Sequence, residues 1–106
     1  MPTITADAGV VTQINVFEVL PGQTGNLIAL LQEAAAACRT NVPGWLSASL
    51  HVSDDGRRVI NYAQTRDRAA MGEVFAFLTR QGFLERNKAF GVAGPGLYEV
   101  VWTLER

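Results

Sequence analysis

Val59-Ile60-Asn61-Tyr62-Ala63-Gln64-Thr65 is the stretch from which the rest of the chain can be ordered. Val59, Ile60 and Tyr62 favour a strand, and Asp54-Asp55-Gly56 just upstream is a turn signal. At the centre stands Asn61, whose amide offers two donors, one acceptor oxygen and no proton to lose. An amide in mid-strand either faces water or serves a pocket, and the two outcomes imply different proteins.

Trp45–Ser53 reads as the strand before that turn. A three-residue Asp54-Asp55-Gly56 loop would pair Ser53 with Arg57, and therefore Ser49 with Asn61 and His51 with Val59. Odd-numbered positions would then share one face of both strands. Further upstream, Val10–Leu20 is rich in β-branched residues and ends at Pro21-Gly22. Between these strands, Gln23–Arg39 carries Leu27, Leu30, Leu31, Ala34 and Cys38 at helical spacing, and Thr40–Gly44 breaks it. Downstream, Asp67 is the expected N-cap of a helix over Arg68–Thr79, with Met71, Val74, Phe75 and Leu78 as its apolar stripe. Gln81–Phe90 predicts a further short helix, Gly91–Gly96 a loop, and Leu97–Leu104 the last strand. The order strand, helix, strand, strand, helix, strand predicts an α+β protein: a ferredoxin-like βαββαβ unit with a four-stranded antiparallel sheet and both helices on one face. A chain of 106 residues forms one such domain, residues 1–106, with its core over about 10–104.

Composition narrows the class. Charged residues are 18% and hydrophobic residues 48%, which marks a globular chain, and a net charge of −1 gives no electrostatic case for nucleic acid or an anionic membrane. Cys38 is the single cysteine; among alanines on a helix it reads as a small buried hydrophobe, and no internal disulfide can form. Met1–Ala8 has neither a basic n-region nor an apolar h-region, and no apolar run reaches membrane-spanning length, so a cytoplasmic protein is expected. No His, Cys or carboxylate cluster has metal-ligand spacing, and no Gly-rich loop would cradle a phosphate.

The two sheet faces differ. The even face, with Ile14, Val16, Leu20, Leu46, Leu50, Val52, Ile60, Tyr62, Val100 and Trp102, is almost wholly apolar. The odd face mixes Asn15, Ser47, Ser49, His51 and Asn61 with Val11, Phe17, Val59 and Val101. In one reading the helices cover the even face and the odd face is wet. In the other they cover the odd face, which becomes a core with a polar spot, and a second copy covers the apolar even face.

Gly44-Trp45-Leu46-Ser47-Ala48-Ser49-Leu50-His51, the Asp-Asp-Gly turn, Asn61-Tyr62-Ala63-Gln64 and Leu97-Tyr98-Glu99-Val100-Val101, preceded by Ile14-Asn15-Val16-Phe17 and Pro21-Gly22, together resemble the antibiotic biosynthesis monooxygenase family over roughly Val10 to Thr103. The resemblance implies a homodimer whose two sheets face each other as a dimeric α+β barrel, with a pocket between sheet and helices in each subunit. It further implies a cofactor-independent monooxygenase that oxidises a phenolic, anthrone or quinol-type aromatic with O2, using no metal or flavin.

In that resemblance Asn15 and Asn61 match the family's strand asparagines and would donate hydrogen bonds to a substrate oxygen. His51 matches a strand-two histidine and is the candidate base. Phe17, Thr65, Phe75 and Arg86 would line the substrate site. The family places a Trp four residues after the strand-three Asn, where this chain has Thr65. That departure keeps two alternatives open: a non-oxidative cyclase or isomerase using the same pocket, and a small-molecule-binding dimer. Haem degradation is disfavoured, because the single His lies on a strand and no helix offers one to iron.

Overall fold

A computed structural model describes Ile4, Ala6 and residues 9–106. The other positions of Met1–Ala8, on which the expectation of no leader rests, lie outside the described residues. The elements run β1 (Val11–Val19), α1 (Thr24–Asn41), β2 (Trp45–Val52), β3 (Arg58–Thr65), α2 (Arg68–Arg80), α3 (Phe83–Asn87), β4 (Gly91–Val92) and β5 (Pro95–Tyr98). They build the expected α+β architecture: an antiparallel sheet in the order β2-β3-β1, with β4 and β5 both along the outer edge of β1.

The helices cover the odd face. Phe17 and Val59, cross-strand partners on β1 and β3, are 1% and 0% exposed and pack with Leu27 and Leu31 of α1. The α1 stripe is the expected one: Leu27, Leu30, Leu31, Ala34 and Cys38 are its buried residues. Asp67 caps α2 by accepting a hydrogen bond from Ala70 N–H at 2.8 Å. The α2 stripe, however, is rotated from expectation. Ala70, Met71, Val74 and Phe77 are buried, while Phe75 is 60% exposed. Phe77 joins Cys38, Val42 and Val74 in a cluster under Trp45, which draws the helix round toward α1.

The β2–β3 hairpin differs from expectation by one residue. Ser53 N–H donates to the Arg58 carbonyl, so four residues, 54–57, make the loop. Asp55 builds it: its carboxylate accepts from Ser53 Oγ at 2.7 Å and from Arg57 N–H at 2.9 Å, which holds its pKa below the usual value. Gly56, at φ +73°, donates to the Ser53 carbonyl. The pairs are consequently Leu50↔Asn61, Ser49↔Tyr62 and His51↔Ile60. A one-residue shift exchanges the faces of a strand. Leu50 therefore joins the helix-side core and Ser49 and His51 turn to the far side. A bulge between Trp45 and Ser47 cancels the shift, so Trp45 pairs with Thr65 and again faces the helices.

The last strand is also shorter than Leu97–Leu104. β5 pairs Thr12 with Tyr98, and β1 begins at Val11, so the chain beyond Tyr98 passes the end of the sheet. Residues 99–106 carry no strand pairing, and Val101, Trp102 and Leu104 are 84%, 72% and 79% exposed.

Two measurements check this packing. A methyl group on Gly44 would collide with the Ala70 side chain, so Gly44→Ala should cost about 1–3 kcal/mol in urea unfolding. Cys38 is 2% exposed and burial raises its thiol to about 11 from 9.0. A raised folded-state pKa means that stability is full below about 9 and falls as pH rises toward about 11. Cys38→Ala should remove that alkaline loss from the pH–stability curve.

Candidate functional site

Between sheet and helices lies a cavity of about 1080 Å³. Its floor is the odd face of β1 and β3: Gln13, Asn15, Phe17 and Asn61. Asn15 and Asn61 are direct cross-strand partners, so their side chains stand together on the helix side. The walls come from Leu31 and Ala34 of α1, from Met71, Val74, Phe75 and Leu78 of α2, and from Phe83, Leu84 and Asn87 of α3. The 91–97 segment closes the remaining side.

The two floor amides are held differently. Asn15 Oδ1 accepts from Gly94 N–H at 3.1 Å, which leaves its NH2 free to donate. Asn61 Oδ1 is buried with no partner among the described residues. An unpartnered buried amide group costs about 1–3 kcal/mol, a cost that a ligand hydrogen bond would offset. Asn87 is in the same condition: it is 8% exposed and its Oδ1 also lacks a partner. Among the described residues the ionisable ones of the lining are Arg68 and Lys88, and no Asp, Glu, His, Cys or Tyr belongs to it. Lys88 is held by Glu85 at 2.8 Å. The chemistry available among the described residues is therefore hydrogen-bond donation and positive charge around a largely apolar space, with no carboxylate or imidazole in the lining.

Of the residues singled out in the sequence, Asn15, Asn61, Phe17 and Phe75 line this one cavity, Phe75 from its exposed position on α2. Three others do not. His51 is exposed on the far face, because the four-residue hairpin loop inverts it relative to Asn61, and it is not part of the lining of this cavity. Arg86 turns outward and binds Glu33 through two bonds of 3.1 and 3.3 Å, beside a separate hollow of about 310 Å³. Thr65 is 1% exposed and spends its hydroxyl on the Asp67 carbonyl at 2.9 Å, at the turn into α2. Its cross-strand partner Trp45 packs against the Cys38–Val74–Phe77 cluster, so an indole already fills that end of the helix side.

Sequence reading missed Asn87, Gln13 and the 91–97 wall. Asn87 follows Phe83 by four residues, one helical turn, and that spacing was the available signal. Among the described residues no three His, Cys, Asp or Glu side chains come together as metal ligands, and no helix is long and apolar enough to cross a membrane.

Comparison with known proteins places this geometry among relatives. The profile of the family described as antibiotic biosynthesis monooxygenase matches residues 10–75. The tetracenomycin-F1 monooxygenase of Streptomyces glaucescens is 38% identical over 69 residues, which are 65% of this chain and 62% of that protein; the match thus spans less than two thirds of that relative. The crystal structure of SnoaB, a cofactor-independent oxygenase from Streptomyces nogalater, superposes with a TM-score of 0.81 at 23% identity, over 93% of this chain and 100% of that one. The ActVA-Orf6 monooxygenase of Streptomyces coelicolor, in complex with nanaomycin D, gives 0.76 at 25% identity over 91% of each chain.

The placement of His51 has a direct check. His51→Ala should change affinity for a cavity ligand by less than about twofold, as expected of a side chain outside the site; a tenfold loss measured by fluorescence titration would put the histidine back into it.

Proposed function

The chain belongs to the antibiotic biosynthesis monooxygenase family, and from that premise we propose that it oxidises a flat phenolic, anthrone or quinol-type aromatic with O2, without metal or flavin. The observation that carries the reading is the Asn15–Asn61 pair on the floor of a largely apolar cavity. Such donors, in a site from which water is largely displaced, stabilise a phenolate or enolate oxygen far better than they would in water.

The reaction balances with these parts alone. An anthrone CH2 loses a proton to give an anion whose charge rests largely on the ring oxygen, against the asparagine NH2 groups. The anion gives one electron to O2, leaving a carbon radical and superoxide. Their recombination forms a C–O bond, and the peroxide takes up a proton. Loss of water, with the second hydrogen of the original CH2, leaves the carbonyl. One oxygen atom enters the product and the other leaves as water, so no external reductant is consumed.

The lining holds no carboxylate or imidazole among the described residues, so the protein's part in deprotonation is to lower the substrate's own pKa through the amides and the positive charge of Arg68. The non-oxidative isomerase reading is weaker on the same ground. An isomerase must return the proton to a different carbon, and the described lining has no carboxylate or imidazole to carry it between.

The reading includes a homodimer in the cytoplasm. What supports the dimer is the unpaired apolar segment after Tyr98, with Trp102 72% exposed, together with a far sheet face that carries Ile14, Val16, Ile60 and Tyr62. A second copy would cover both.

Oxygen uptake with an anthrone tests the activity. Asn61→Ala should lower turnover by about one to three powers of ten, and unchanged turnover in a folded variant would remove Asn61 from the mechanism. The pH dependence of kcat/KM should move with the acidity of the substrate across a substituted series; a profile fixed at one pH for all substrates would reveal a protein base. Truncation after Tyr98 should convert a dimer into monomer in sedimentation velocity, and a monomeric full chain would end the dimer reading.

A further inference from the structure

Asn87 is the buried amide that the oxidation leaves without a task. It is 8% exposed, it lines the cavity, and its Oδ1 has no hydrogen-bond partner among the described residues. The rotation of α3 that points it inward is held from outside. Arg86, its neighbour in sequence, is clamped to Glu33 by both terminal nitrogens and lies over the Phe83 ring at 5.3 Å. Phe83, one turn before Asn87, is 6% exposed and packs with Leu30 and Ala34. Rolling the helix to exchange Asn87 for Arg86 would break both attachments.

Its place along the cavity is also defined. Gly91, just after α3, pairs with Val19, and the Phe90 carbonyl accepts from Leu20 N–H. The chain leaving Asn87 thus reaches the sheet at Val19, while Asn15 and Asn61 stand on the other side of Phe17 along the strands. Folding does not account for an amide here. Leucine has the same branched shape, needs no partner and would avoid the cost of a buried group left unpaired.

We propose that Asn87 is a specificity-determining residue that hydrogen-bonds a second oxygen of the substrate, remote from the reacting carbon, so that the cavity selects polycycles oxygenated at both ends. A half-turn about χ2 exchanges the amide oxygen and NH2, so the residue can accept from a hydroxyl or donate to a carbonyl. The inference rests on the cavity being the substrate site.

The test uses emodin and chrysophanol, two anthraquinones that differ by one hydroxyl away from the quinone carbonyls, with binding read by tryptophan fluorescence quenching. The unmodified protein should bind emodin about tenfold or more tighter, the scale of one lost hydrogen bond to a buried group. Asn87→Leu should bring the two affinities within about twofold while leaving Tm unchanged or higher. Asn87→Ala replaces it if the leucine variant does not fold. Equal affinities in the unmodified protein, no binding of either quinone, or discrimination that survives the substitution would each overturn the proposal. A fall in Tm with discrimination intact would make Asn87 a structural residue. Oxygen uptake with the corresponding anthrones is scored separately. Discrimination without uptake would end the oxygenase reading and leave Asn87 in place; uptake with the discrimination unaltered in Asn87→Leu would do the reverse.

Discussion

Eight consecutive cross-strand pairs join β1 to β3, from Val11↔Thr65 to Glu18↔Arg58, and nearly everything else in the structure follows from that register. Side chains alternate along a strand, so pairing Asn15 with Asn61 also pairs Gln13 with Ala63 and Phe17 with Val59 on the same side. Those are the floor of the cavity and the seed of the core. A slip of β1 by one residue would send Asn15 and Phe17 to the far face, away from Asn61 and Val59, and leave the helices to pack on Ile14 and Val16.

The helices do not close completely onto that floor. The core is divided into three clusters: Phe17–Leu27–Leu31–Val59, Cys38–Val42–Val74–Phe77 and Leu30–Ala34–Phe83. A space of about 1080 Å³ adjoins them. Such a void forgoes dispersion contacts that a filled core would make. Two amide oxygens, on Asn61 and Asn87, add the cost of buried polar groups without partners. A chain under selection for stability alone would fill the space and replace the amides. Their coexistence with a tightly capped α2 and a tightly knit hairpin argues that the empty volume is the working part of the molecule.

The hairpin shows how a small local interaction redirects a functional argument. Asp55 accepts from Ser53 and Arg57, lengthening the loop by one residue, and His51 moves from the amide side to the opposite side. The bulge at Trp45–Ser47 then restores the phase, so that Trp45 supports α1 and α2 beside Thr65. The indole that the family pattern places after the strand-three Asn thus has a neighbour-strand counterpart in the core, though Trp45 is not part of the cavity lining.

Much was legible from residue order alone. The apolar spacing of Leu27 to Cys38, the Asp67 cap and the β-branched runs determine element order, and with it the ferredoxin-like sheet, because helical period, strand period and capping are local properties written into neighbouring residues. That Asn15 and Asn61 share a face was also expected, and the β1–β3 register bears it out. Three things depended on contacts between distant segments. Which face the helices cover was decided by Phe17 and Val59 meeting Leu27 and Leu31. The side taken by His51 was decided by a side chain–backbone network in the turn. Whether residue 86 or 87 enters the cavity was decided by Glu33, far off in sequence, holding Arg86 outside. Sequence parity and period set the choices within each element, and only tertiary packing selected among them, because rotating a short helix or shifting a hairpin by one residue costs little until a distant partner makes one state better than the other.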